Sequence, residues 1–199
     1  MRVSVEIDRL SDDIYRSAHL DPSEPAPPNA LCRHLFGRVP EFARINCDAS
    51  VALVRGQWRL FVRRGLPVSR LRFAVLHEVA HIIYWGCGMV HDDLEARCNR
   101  LGAALAVPRL AFLRAAHRSH DVAHLAEAFG ATQSLVLLRW GECEGKPIAL
   151  IEPSAVHTRG RKYPWPDEHG LRLLAHDCRW PGARVHLTDA PMRIGLLAS

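Results

Sequence analysis

The residues best suited to chemistry lie in one short run, Leu76-His77-Glu78-Val79-Ala80-His81. On a helix, side chains four apart share a face, so the His77 and His81 imidazoles can reach one ion together. Glu78 is offset by one residue, which sets its carboxylate beside that ion without making it a ligand. Two neutral imidazoles plus a carboxylate suit Zn2+, and three protein ligands leave a fourth position for water. Zinc lowers the pKa of such a water from about 15.7 towards ~7, where a neighbouring carboxylate can take its proton. The implied chemistry is hydrolytic, with Glu78 as general base.

The third ligand has to come from further along. A continuation His-x-x-Gly-x-x-His would put glycine and histidine where this chain has Tyr84 and Cys87. Gly86 is out of register, so the turn that would bring Cys87 to the ion is missing. The following segment offers His91, Asp92, Asp93 and Glu95. Glu95 is the preferred ligand. Cys98 and Gly102 follow it on the same helical face, and both are small enough for that helix to approach the His77–His81 helix closely. Asp92 and Asp93 sit where helix N-capping is their natural task.

Both helices are legible in the pattern around these residues. Ser69 is placed to cap a helix through Phe73, Leu76, Ala80 and Ile83 that stops at Gly86. Asp92 or Asp93 starts the next, which carries Leu94, Leu101 and Leu105 and ends before Pro108. Upstream, Ile7, Leu10, Ile14 and Ala18 share one face of an amphipathic helix near 6–18, and a short helix through Leu31 and Leu35 ends at Gly37. Val51–Val54 and Leu60–Val62 read as strands of a hairpin turning at Arg55-Gly56-Gln57. Two or three helices fill 108–140. Beyond a boundary near Gly141–Pro147, strands at Ile148–Ile151, Val185–Leu187 and Ile194–Leu197 surround one helix near 167–177. The expected division is 1–145 for the main domain and 146–199 for a small β-rich appendix.

These two helices resemble those of the ImmA/IrrE family of metallo-endopeptidases. The family's R-x-R-F-x-x-x-H-E-x-x-H helix is matched by Arg70-Leu-Arg72-Phe73-Ala-Val-Leu-His77-Glu78-Val-Ala-His81, and its E-x-x-A-N-R-F-A-A-x-L-L-M-P helix by Glu95 through Pro108. Asn99, Arg100, Ala103, Leu105 and Pro108 agree; Cys98, Leu101, Gly102, Ala106 and Val107 depart conservatively. The resemblance covers about residues 5–140. It implies an α+β, zincin-like metallopeptidase domain, with helices packed on a small twisted sheet and the His77–His81 helix lining a cleft. It further implies a cytoplasmic protease that cuts a helix-turn-helix repressor and relieves repression. Substrate is expected to bind extended, adding a strand at the edge formed by Leu60–Val62.

Other signals bound this reading. The apolar and charged fractions, 48% and 24%, are ordinary for a globular protein. No apolar run reaches the ~20 residues of a membrane span, and the acids near the N-terminus do not suit a signal peptide, so the expected location is the cytoplasm. Six cysteines without a Cys-x-x-Cys pair read as small buried residues. The net charge of +5 is nearly all arginine, with Lys146 and Lys162 the sole lysines and no dense basic run. Residues 121–141 resemble a helix-turn-helix whose second helix offers Gln133, Ser134 and Arg139 as polar readers. A packing role is preferred there, and direct DNA binding is not expected. His117, His120 and His124 read as exposed helix histidines, not a second metal site. Tyr84, one turn beyond His81, is a candidate oxyanion donor or a packing partner of Trp85; Tyr163 and His91 are further candidates. The rival function is a non-catalytic metal-binding regulator that binds a repressor or DNA.

Overall fold

The computed structural model describes residues 2–89, 92–145, 148–151, 156–159, 183–187 and 194–198. His91, Tyr163 and the helix expected near 167–177 lie outside these residues. The architecture is α+β. The described residues form two compact units, one built from Arg2–Arg114 with Phe129–Ala131, the other from Ala115–Ala128 and the described residues from Thr132 onward.

The first unit begins with α1 (Arg2–Ser17) and α2 (Pro28–Phe36). Ile7, Ile14 and Tyr15 of α1 are buried, and the Tyr15 hydroxyl donates to the Leu105 carbonyl at 2.8 Å while accepting from the Ala26 N–H at 3.1 Å. One buried phenol thereby fixes a helix, a loop and the segment that follows Glu95. Gly37 closes α2 in the left-handed region at φ 68°, where a side chain would be strained.

A sheet of β1 (Glu41–Ala43), β2 (Ala49–Val54) and β3 (Gln57–Arg63) follows, in the order β1-β3-β2. The β2–β3 turn is two residues long, Arg55-Gly56, and both have positive φ, 52° and 76°. That backbone matches the right-handed twist of the strands it joins. The expectation that Leu60–Val62 forms the free edge is corrected here. The three residues of β1, too short to signal themselves in the sequence, pair in parallel with Phe61, Val62 and Arg63. β3 is therefore the central strand, and β2 has the edge on which the described residues place no partner.

The sheet's inner face, with Ala49, Leu60 and Val62 buried, meets α3 (Val68–Gly86). Ser69 does not cap this helix: the chain enters through Pro67, whose fixed φ suits the cap position and whose carbonyl accepts from Arg70 and Leu71. α4 (Leu94–Ala106) starts after Asp93, whose carboxylate takes the Arg97 side chain at 2.9 Å and makes no side-chain cap bond. α3 packs closely against α4 along a seam, with Gly102 lying on the backbone of Leu76 and His77.

α5 (Arg109–Arg118), α6 (Val122–Phe129) and α7 (Gln133–Glu144) come next. Thr132 caps α7 by accepting from the Leu135 N–H. Gly141 lies inside α7 and does not end it; the stop is Gly145, at φ 68°. In the second unit α7 packs on a fully antiparallel sheet, β5-β4-β7-β6, made of β4 (Ile148–Ile151), β5 (Val156–Arg159), β6 (Ala183–Leu187) and β7 (Ile194–Ala198). β5 was not among the expected strands.

Candidate metal centre

α3 turns His77 and His81 onto the face that meets α4, and their Nε2 atoms lie 3.1 Å apart. Glu95, in the first turn of α4, reaches across the seam with Oε1 3.1 Å from His81 Nε2 and Oε2 3.4 Å from His77 Nε2. Ligands held tetrahedrally at about 2.0–2.1 Å stand roughly 3.3–3.4 Å from one another, so the donor spacing fits a small divalent ion. The chemistry of the set, two imidazole nitrogens and a carboxylate, fits as well. Burial, then the neighbouring His81 ring, holds His77 below the ordinary histidine range, with Glu95 and Asn99 opposing. Low basicity favours the neutral imidazole that a metal requires. The Glu95 side chain is 73% exposed against 7% for His81, so the centre opens to water on the carboxylate side.

The seam is this close because Cys98 and Gly102 have little bulk. Cys98 is fully buried, and burial pushes its thiol up to about 12, with Glu95 and Glu78 adding; it stays protonated near neutral pH and serves as packing. Cys87 is exposed at the end of α3. Among the described residues His77, His81 and Glu95 form the grouping able to hold an ion. His117, His120 and His124 form no such grouping; His120 lies against Trp140, ring centroids 5.7 Å apart.

Glu78 points from α3 towards β2. Burial pushes its carboxyl up to about 7, the Glu95 charge adds to this, and a hydrogen bond from the Val51 backbone N–H opposes it. Sequence reasoning missed Val51 as a contributor. Its role rests on a main-chain donor whose direction depends on strand register, and side-chain patterns do not report that. A two-residue hairpin closes on a hydrogen-bonded pair, here Val54 with Gln57, so alternate residues Ala52 and Ser50 also bond to β3. Ala49, Val51 and Leu53 then turn their N–H and C=O groups to the free edge, in keeping with the Val51–Glu78 bond.

Tyr84 faces α4 and is buried. Burial raises its hydroxyl above the usual phenol range, with Cys98 adding and Arg97 opposing. Trp85 goes the other way. It stacks on Trp58 of β3, centroids 5.6 Å apart and planes 19° from parallel, and it touches the His81 ring at 4.9 Å.

Residues 46–140, which hold both metal-facing helices and the hairpin, match the family model of a peptidase family described as the IrrE N-terminal-like domain. That segment belongs to the ImmA/IrrE family. The IrrE-like domain is thus a peptidase-family domain carrying a candidate His-His-Glu metal site. A solved structure titled as a Mycobacterium tuberculosis transcriptional regulator is similar, with a TM-score of 0.69 and 13% identity over 97% of this chain and 87% of that one. At that identity the likeness is one of fold. No curated protein matches the chain. Among the described residues, no helix is long and apolar enough to cross a membrane.

Proposed function

We propose that the chain is a cytoplasmic zinc-dependent endopeptidase that cuts a helix-turn-helix transcriptional repressor and so relieves repression. The observation that carries this reading is the triangle of His77, His81 and Glu95 donors with Glu78 on the same helix. Those three residues would hold Zn2+, which when bound acidifies water and polarises the scissile carbonyl. Glu78 is the general base. The Val51 N–H steadies its carboxylate, which takes a proton from the attacking water and returns it to the leaving amine. Tyr84 is assigned as the hydroxyl that donates to the developing oxyanion.

The substrate lies extended along the free edge of β2, where Ala49 and Leu53 offer main-chain donors and acceptors. Antiparallel pairing is the more stable per residue. Folded cores cannot adopt that form, so a flexible segment of the repressor near its DNA-binding or dimerisation region is the target. The IrrE-like match supports the repressor as substrate class. Residues 1–145 carry the activity and 146–199 form an appendix; residues 121–141 serve packing and do not read DNA.

The test is co-expression with helix-turn-helix repressors from the same genome, followed by mass spectrometry of their fragments. One cut is expected. An intact repressor beside broad digestion of casein would replace the reading with a general peptidase.

A further inference from the structure

Leu53 and Trp58 face each other across β2 and β3, on the sheet face that meets α3. Trp58 carries the stack on to Trp85, and Trp85 carries it to the ring of His81. Packing alone would bury such a group, yet Leu53 is 58% exposed and Trp85 36% exposed. An open apolar surface therefore begins at a metal-facing histidine and runs out beside the free strand edge.

We propose that Leu53, Trp58 and Trp85 form a specificity subsite for one large apolar side chain of the substrate, leucine, methionine or an aromatic residue, on the N-terminal side of the cut. This rests on the peptidase reading above. The position follows from the register. β2 runs alongside α3 in the same sense, as three pairs show: Asp48 with Arg70, Val51 with Glu78, and the Leu53–Trp58 pair with Trp85. Glu78 marks the reacting bond, level with Val51. A substrate strand antiparallel to β2 reaches Leu53 two residues towards its own N-terminus. Residues directly opposite in a sheet share a face, so the side chain level with Leu53 points onto the Trp58–Trp85 stack. The next side chain along points away and goes unread.

The probe is a set of fluorescein-labelled decapeptides in a Ser/Thr/Gly background, either wholly polar or with one central Leu or Phe. Binding is measured by anisotropy on the full-length, zinc-loaded Glu78→Gln protein. The Leu and Phe peptides should bind about tenfold tighter than the polar one, or better, the usual reach of an apolar pocket. Adding Leu53→Ser, at a mostly exposed position, or Trp85→Ala should shrink that ratio below about threefold. A ratio near one in the parent, or a ratio unmoved by both substitutions, overturns the subsite. If the ratio holds while the parental protein cuts none of these peptides nor the repressor, the peptidase reading fails and the subsite stands. If the parental protein cuts, the new C-terminus should lie at or within two residues after the Leu or Phe; cuts confined to its N-terminal side overturn the assigned direction.

Discussion

Gly102 of α4 lies directly against the backbone of His77: a Cβ at Gly102 would stand 3.0 Å from both the Cα and the main-chain nitrogen of His77. That is tighter than nine in ten contacts of real Cβ atoms, and neither backbone atom can swing aside, so the helix itself must give by a few tenths of an ångström. Gly102→Ala should therefore push α3 and α4 apart. Overpacking of this kind costs about 1–3 kcal/mol. Because the displaced seam also sets the distance from Glu95 to the two imidazoles, metal affinity should fall with stability. Denaturant unfolding and zinc titration would measure both. A variant of parental stability and affinity would show that the close approach does not govern the centre.

Glu95→Ala should lose tight zinc binding, while Asp92→Ala and Cys87→Ala keep it. The Glu95 carboxylate stands 3.1 and 3.4 Å from the two histidine nitrogens, whereas Cys87 is exposed at the helix end. Metal analysis of the purified variants checks this. Retention of zinc by Glu95→Ala, with loss in either of the others, would reassign the third ligand.

How far this site could be read from the sequence depended on which interactions are local. His77, Glu78 and His81 sit within five residues, so helical geometry alone gathers them, and the small residues Cys98 and Gly102 announced a close partner helix. The edge strand was misread because it depends on β1, three residues that pair across a gap with Phe61–Arg63 and carry no pattern of their own. The caps were misread where Pro67 and the Asp93–Arg97 pair competed with the expected side-chain caps. The Val51–Glu78 bond and the Trp58–Trp85 stack were out of reach for the same reason: each joins elements whose register is settled only when the sheet packs on α3.

Tyr84→Phe removes a hydroxyl and little else. If that hydroxyl donates to the oxyanion, kcat should fall at least about tenfold, towards the ~10²-fold of a lost oxyanion donor, with KM and zinc content held. Unchanged kcat would take Tyr84 out of the mechanism and leave it as packing against α4.

Arg139, the residue of 121–141 best suited to reading a base, is 1% exposed and pairs with Glu142 at 2.9 Å. Arg139→Ala should therefore act on stability, by roughly 3 kcal/mol for a broken buried pair, and not on DNA affinity. Anisotropy titration of duplex DNA should give weak binding that fades steeply with salt. Tight, sequence-selective binding abolished by Arg139→Ala would assign this helical pair to DNA.

The most direct measurement is the comparison of Glu78→Gln with the parental protein, zinc content and peptide cleavage being followed on the same preparations. The substitution keeps the shape and the hydrogen-bond acceptor facing the Val51 N–H, and removes the proton acceptor. The account predicts one zinc per chain in both proteins, the same fold, and a loss of cleavage of at least ~100-fold in the variant. Cleavage by Glu78→Gln at the parental rate, with zinc in place, would contradict it.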